Sequence, residues 1–304
     1  MAVPMRRTYI APISFGLGDL IVSLPAIQAL VTKNQPNETW LVARAAPQAA
    51  LADRIAELGG CVHEDAFDPA GANGRFVDLR DHPLQRDYWW GSPEFDQDVG
   101  PLAINEIVAR ICADFGISAD FSQPAPLLAR RSRPEVRDAV LLVTESDATK
   151  RWAPERWVDL AREIRHGGND VRMVTRDEPV AEMSGTEIDA VRAPTPGDAV
   201  DVLTSCRAVV GIDTGLTHIA AQQGTPTVGI YRNRALYFRS WPHTRAVLGD
   251  RCDESCQSVE QSYAYNAQVS SPGSAWQPRT CPVGARCLEN VRPEDVMGAL
   301  QEVL

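Results

Sequence analysis

Three stretches of this chain set a carboxylate or a cation beside a tight turn, and a fourth gathers cysteines. The first is Phe15-Gly16-Leu17-Gly18-Asp19-Leu20, a glycine-rich turn between an apolar run and a helical pattern. A dinucleotide fingerprint needs a third glycine at position 21, where Ile21 stands, so the turn argues against a nicotinamide cofactor. It places Asp19 at a helix start, where the helix dipole keeps a carboxylate ionised. Such a residue can cap the helix or act as a general base, and the sequence leaves both roles open.

The second stretch runs from Thr144 through Ser146 and Lys150 to Trp157, from a strand pattern into a helix opened by Pro154 and Glu155. Hydroxyls and cations just before a helix N-terminus can hold a diphosphate, and an ammonium acts on phosphate as a compact, mobile charge. Only Lys33 and Lys150 are lysines, whereas 28 of the 30 basic residues are arginine. Lys150 is therefore a candidate phosphate ligand, with a solvated loop lysine as the plain alternative. The third stretch, Gly211 to Ala221, feeds a strand into a helix through Asp213-Thr214-Gly215. Unpaired N–H groups of Thr214 and Gly215 would face out of the helix start and suit an anion. Asp213 could accept from ribose hydroxyls or cap the helix, and His218, one turn in, could donate to a phosphate or sugar oxygen or be structural.

Cys252, Cys256, Cys281 and Cys287 form the fourth group. Four thiols can hold a tetrahedral zinc or iron, although the pair spacings are looser than a C-x2-C signature. Unligated reduced cysteines are the alternative, and a closed thiolate site would be structural. Cys61, Cys112 and Cys206 are scattered in apolar surroundings and read as core residues.

These residues must be carried by repeated strand and helix patterns. Strands are expected at Thr8 to Ile13, Thr39 to Ala43 and Phe76 to Leu79, with helices from Leu20, over Gln48 to Leu58 (stopped by Gly59-Gly60) and over Ile104 to Phe115. The aromatic, glycine- and proline-rich segment 82–101 has no period. Its Tyr88, Trp89 and Trp90 line a substrate cleft or tuck a loop onto the core. Residues 129–138 read as a linker, giving domains 1–133 and 139–304. After the linker, strands Ala139 to Val143, Val171 to Thr175, Ala208 to Ile212 and Thr227 to Tyr231 alternate with helices Pro154 to Arg165, Asp198 to Ser205 and Leu216 to Gln223. The class is α/β, two parallel-sheet domains with ligands expected in a cleft at the carboxyl ends of the strands.

The chain has 304 residues, enough for two ordinary cores, and a formal charge of -10, which disfavours nucleic acid as a partner. No run approaches the ~20 apolar residues of a membrane span, and the first fourteen residues carry no targeting segment, so a cytoplasmic location without a transmembrane segment is expected.

Together these residues resemble glycosyltransferase family 9, the heptosyltransferase-like family of the GT-B fold, in which two Rossmann-like domains face each other across a cleft. The family's opening strand, G-x-G-D turn and L-P helix are similar to GLGDLIVSLPAIQAL. Its K-x-W-P-x-E-x-W/F motif is matched by Lys150, Trp152, Glu155 and Trp157, with Pro154 one position late. Its D-T-G-x-x-H-x-A-A block is matched in full by Asp213 to Ala221, and its C-P-x-G-x-x-x-C ending resembles Cys281 to Cys287, which is one residue shorter, before a last helix.

The resemblance implies an inverting glycosyltransferase without a catalytic metal or other cofactor, moving a sugar from a nucleotide diphosphate sugar, typically ADP-heptose. The N-terminal domain would bind the acceptor and the C-terminal one the nucleotide sugar. By the matched positions Asp19 would deprotonate the acceptor hydroxyl, with Gly18 beside it. Lys150 and the amides of Thr214 and Gly215 would stabilise the leaving diphosphate, and Asp213 and His218 would hold the donor, with Thr144 and Ser146 nearby.

The sequence departs from the family after Tyr231, where Arg232, Asn233, Arg234 and a run to Arg239 and Trp241 replace the usual G-P-T-type loop, and in a polar insertion at 257–280. These arginines imply replacement phosphate contacts or another donor. Residues 1–138 hold 13 basic and 18 acidic side chains, a poor match to a phosphorylated lipid. A small molecule, a glycan or a protein side chain is the expected acceptor, with lipopolysaccharide core open. A binding module without turnover is the remaining class, opposed by Asp19, Lys150, Asp213 and His218 occurring together.

Overall fold

The computed structural model describes residues 7–86, 102–145, 150–177, 188–232, 238–250 and 286–304. Among these, the chain divides into two compact units, the first running to Ala129 and the second starting at Arg130. Ala129 N donates to Arg54 O at 2.6 Å within the first unit, and Arg131 N donates to Asp201 Oδ1 at 2.7 Å within the second. The chain thus leaves one body and enters the other across a single residue.

In the first unit β1 (Arg7–Ala11), β2 (Thr39–Ala43), β3 (Leu58–His63) and β4 (Gly74–Asp78) form a wholly parallel sheet in the order β3-β2-β1-β4. Its helices are α1 (Leu17–Lys33), α2 (Ala46–Ala52), a single turn α3 (Pro83–Arg86) and α4 (Ile104–Asp114). Strand alternation sends side chains to both faces of the sheet. Ile10, Leu41 and Val77 are fully buried, as are Leu20, Leu24 and Ile27 of α1. Tyr9, Ala11 and Val42 form a second cluster with Phe67 and Phe76, the Phe67 ring lying tilted 4.8 Å from Tyr9 and 4.9 Å from Phe76.

One expectation fails here. The helix read over Gln48 to Leu58 stops at Ala52, because Ile55 leaves it to bridge Leu128, and Leu58 begins β3. Gly59 and Gly60 are strand residues, and the register slips at Gly59, since Thr39 pairs with Leu58 but Trp40 with Gly60. A Cβ on Gly60 would lie 2.7 Å from the Trp40 ring, and one on Gly59 1.9 Å from Asn37 O. The two glycines admit an indole and a crossing backbone; they do not end a helix.

The second unit holds β5 (Ala139–Val143), β6 (Asp170–Thr175), β7 (Asp189–Arg192), β8 (Ala208–Ile212), β9 (Thr227–Tyr231) and β10 (Thr244–Leu248), all parallel in the order β10-β9-β8-β5-β6-β7. β5, β8 and β9 are buried along their whole length, as expected for parallel strands covered on both faces. Helices α5 (Pro154–His166) and α8 (Pro293–Gln301) pack on each other, as do α6 (Pro196–Leu203) and α7 (Gly215–Gln222). Trp157, Leu160 and Ile164 of α5 join Val140, Val210, Val228, Val296 and Leu300 in one apolar cluster.

Each sheet reverses its strand order once, between β1 and β4 in the first unit and between β5 and β8 in the second. Open parallel sheets bind ligands outside the carboxyl ends of the strands at such points.

Candidate functional site

Asp213 directly follows β8, and Lys150 lies seven residues beyond the end of β5, so the reversal point of the second sheet brings together residues 63 positions apart. Lys150 Nζ donates to Asp213 Oδ2 at 2.9 Å and to Asp213 O at 3.2 Å, and His218 Nε2 meets Asp213 Oδ1 at 2.9 Å. Both carboxylate oxygens are thus engaged, one by a cation from the segment after the neighbouring strand β5 and one by an imidazole from the first turn of α7. The side chains of Lys150 and Asp213 keep about a fifth of their surface open, 23% and 21%, whereas that of His218 keeps 4%.

The turn exists because its residues are small. Gly211 in β8 leaves room for Thr217, whose Oγ1 donates to Ile212 O at 2.6 Å and anchors α7 to the strand it follows. Thr214 is the N-cap in extended conformation and Gly215 the first helical residue. The first amides of α7 have no acceptor within their own helix, and with the positive dipole end they make a terminus of the kind that suits an anion, beside Lys150.

Burial alone would raise the Asp213 carboxyl, but Lys150 and His218 outweigh it and hold Asp213 well below the carboxylate range. His218 falls below its ordinary 6.5 because burial disfavours imidazolium, and Arg239 and Lys150 add to this against the pull of Asp213. The imidazole is therefore neutral at pH 7, and its Nε2–H is the natural donor to Asp213.

Arg239 belongs to the run that departs from the family pattern. It is 3% exposed, donates from Nη2 to His218 O at 3.3 Å and lies 5.0 Å from the Trp241 ring. Among the described residues its Nε and Nη1 make no hydrogen bond, and burial lowers its pKa to about 10. Tyr231, at the end of β9, is buried beside it with its phenol pushed up by burial and by Asp213. Thr144, just past β5, is buried, and its Oγ1 has no partner among the described residues. Ser146 lies outside the described residues.

Asp19 stands in the first unit. Gly16 is the N-cap of α1, with Asp19 three residues on, and Asp19 Oδ2 accepts from Gly16 N at 2.8 Å, the return half of a capping box whose other half a glycine cannot supply. The carboxylate is therefore the reciprocal member of the cap, partly exposed beside Gly18 and the dipole end of α1. Beneath the turn lies a polar group that the sequence reading missed. Arg44 and Gln48, 4% and 0% exposed, bond to the carbonyls of residues 12–16, and Arg44 pairs with Glu64 and Asp78. The available signal was Gln48 standing three and four residues before Leu51 and Ala52, on the buried face of a short helix.

Tyr88, Trp89 and Trp90 lie outside the described residues, as do Cys252, Cys256 and Cys281. Cys287 is buried in the apolar cluster of the second unit, and a Cβ on Gly249 would come within 2.1 Å of its carbonyl. No helix among the described residues is long and apolar enough to cross a membrane.

The family model described as glycosyltransferase family 9 (heptosyltransferase) matches residues 108–264. Among solved structures, the iron-containing dodecameric glycosyltransferase TibC from enterotoxigenic E. coli aligns at 17% identity over 98% of this chain and 76% of its own, with a TM-score of 0.65. A glycosyltransferase family 9 protein from Veillonella parvula aligns at 13% identity over 100% and 98%, with a TM-score of 0.62. The E. coli heptosyltransferase WaaC, solved with ADP-2-deoxy-2-fluoro heptose, aligns at 14% identity over 80% and 93%, with a TM-score of 0.57. No curated protein matches the chain. At these identities the likeness shows the fold: two α/β units of the GT-B class.

Proposed function

The chain belongs to glycosyltransferase family 9 and is a glycosyltransferase, and on that premise we propose that it moves a heptosyl group from ADP-heptose to an acceptor hydroxyl with inversion at the anomeric carbon. The observation that carries this reading is the meeting of Lys150, Asp213 and His218 at the N-terminus of α7. Complexes of WaaC and of TibC with ADP-heptose or its fluoro analogue support the choice of donor.

In this mechanism Asp19 takes the proton of the acceptor hydroxyl. The oxygen's electron pair forms the new bond to the anomeric carbon as the bond to the β-phosphate oxygen breaks, and ADP leaves with the electrons of that broken bond. Lys150 and the amides of Thr214 and Gly215 stabilise the departing charge, the preorganised electrostatics that usually supplies most of the rate. Asp213 fixes the ammonium at the helix terminus, and His218 fixes Asp213. Asp213 is itself a poor base, because a carboxyl held so far down retains little affinity for a proton. Thr144 and Ser146 flank the donor, and Gly18 with Tyr88, Trp89 and Trp90 serves the acceptor. The acidic first half supports a neutral or cationic acceptor: a small molecule, a glycan or a protein side chain. In the metal reading Cys252, Cys256, Cys281 and Cys287 hold a structural zinc or iron, which metal analysis of the purified protein tests.

Calorimetric titration with ADP, GDP and UDP, and then with their sugars, tests the donor. ADP and ADP-heptose are expected to bind; binding of a uridine or guanosine sugar in place of the adenosine one defeats the assignment. Incubation of ADP-heptose with candidate acceptors, read as the mass gain of one heptosyl unit, then separates lipopolysaccharide core from protein and small-molecule acceptors.

A further inference from the structure

The turn that carries Asp19 is held at Pro12, Ile13, Ser14, Gly16 and Asp19 by side chains from outside it. Arg44 Nε donates to Pro12 O at 2.9 Å. Gln48 Nε2 donates to Ser14 O at 2.8 Å and to Gly16 O at 2.9 Å, while its Oε1 accepts from Arg44 N at 2.9 Å. Ser23 Oγ donates to Asp19 O at 2.7 Å and accepts from Ile13 N at 3.4 Å. Gln48 and Ser23 are both wholly buried, at 0% exposure. Arg44 in turn donates to Glu64, after β3, and to Asp78, at the end of β4, the strand across the reversal point.

Pro12 and Ser14 are buried, so their carbonyls need partners from the protein, whereas the exposed Gly16 already offers its carbonyl to Asp19 N and Leu20 N at the helix start and still takes a third donor. Here three alternate carbonyls, those of Pro12, Ser14 and Gly16, are taken by two buried side chains. Burying an arginine and an amide is costly unless every polar atom is satisfied, and Gln48 spends both donors on this one stretch. The stretch ends on the amide of Gly16, which holds the Asp19 carboxylate at 2.8 Å.

We propose that Gln48, backed by Arg44 and Ser23, is a positioning residue that sets the direction of the Asp19 carboxylate by fixing the backbone from Pro12 to Gly16. The proposal rests on the reading of Asp19 as the base. Misplacing a reacting group by about 1 Å can cost about 100-fold in rate without weakening ligands held elsewhere.

The test substitutes Gln48→Met, which keeps the length and apolar fit but removes both donors, and Ser23→Ala as a milder second variant. Three quantities are read on the full chain: hydrogen exchange of the Gly16 amide, ADP release from ADP-heptose during transfer, and ADP affinity by calorimetry. In Gln48→Met, Gly16 exchange is expected to rise about 10-fold or more and kcat to fall about 10- to 100-fold, with ADP affinity unchanged. Ser23→Ala should move the first two in the same direction by less. Combined with Asp19→Asn, Gln48→Met is expected to add no further loss, because a residue that acts only through Asp19 has nothing left to position.

Unchanged Gly16 exchange, or losses that add in the double variant, overturns the proposal. Full activity of Asp19→Asn defeats instead the reading of Asp19 as base. The exchange measurement needs no turnover and so separates the two failures.

Discussion

At the carboxyl ends of β1 and β8 the chain makes the same move, a parallel strand turning into a helix beside the point where strand order reverses. It fixes a carboxylate at each by opposite means. Asp19 is tied to an amide three residues back in its own cap, and its turn is braced from below by neutral and charged side chains that bond to backbone. Asp213 is tied to a lysine 63 residues away and to a histidine in the following helix, and the backbone beneath it is held by Thr217. A carboxylate locked between a cation and an imidazole is a fixed negative charge. One held by a peptide amide beside a helix terminus is oriented through the backbone. The two turns thus fit a charge scaffold for a leaving group and a positioned base.

The largest effect should separate them outright. Asp19→Asn keeps the shape of the cap but removes the proton acceptor. It is expected to lower transfer by about 10²- to 10⁴-fold, the usual range for a lost general base, with ADP affinity by calorimetry unchanged. Lys150→Met should weaken ADP as well as transfer. If Asp19→Asn weakens ADP and Lys150→Met does not, the assignment of the two turns is reversed.

The glycine of the second turn comes next. A Cβ on Gly211 would sit 2.2 Å from Thr217 Oγ1 and 3.0 Å from Val143 Cβ, inside a packed strand–helix contact. Gly211→Ala is expected to cost about 1–3 kcal/mol, the usual penalty of overpacking, and to loosen ADP as α7 shifts. An unchanged urea midpoint would show that the contact yields more easily than its geometry implies.

Much of this was legible in sequence, and what was missed has physical causes. Asp213, Lys150 and His218 could be read because each breaks a local pattern: a carboxylate after an apolar strand, a lysine in an arginine-rich chain, a histidine one turn into a helix. Arg44 could not, since one arginine among 28 carries no signal, and its role depends on Glu64 and Asp78, set 20 and 34 residues away and brought near only by sheet order. β7 escaped because three of its four residues are exposed, and β10 because it lies at the sheet edge with only Thr244 fully buried. β3 was lost to its glycines, which resemble a helix stop until Trp40 is seen lying against them. Residue types report burial along one element well, but they report poorly on which side chain from a distant element fills a gap.

Acid should act on the second turn before the unfolded carboxylate range is reached. His218 titrates below its ordinary 6.5, so below that pH the unfolded chain binds a proton that the native chain refuses, and stability falls as pH falls. The slope from this one group is at most about 1.4 kcal/mol per pH unit. Asp213 has the depressed carboxyl, and its contribution is present above 3.8 and is lost only as pH falls towards its lower native value. Urea midpoints at pH 7 and pH 5 should therefore differ for the parent. They should differ less for His218→Gln, which can still donate to Asp213. An equal drop in both would place the acid sensitivity elsewhere.

The smallest expected effect sharpens the contrast most. Gly16 has φ -68°, a conformation open to any residue, so its glycine is not required by backbone geometry. What a Cβ there meets is Asp19 Oδ2, at 2.8 Å, the tip of a side chain that can swing aside. Gly16→Ala should therefore leave the urea midpoint within about 0.5 kcal/mol of the parent, as surface substitutions usually do, while kcat falls a few-fold because the carboxylate leaves the Gly16 amide. The corresponding change at Gly211 costs stability first and function through it. If Gly16→Ala instead lowers stability and leaves kcat alone, the cap bond is structural and the direction of Asp19 is set by something other than its own turn.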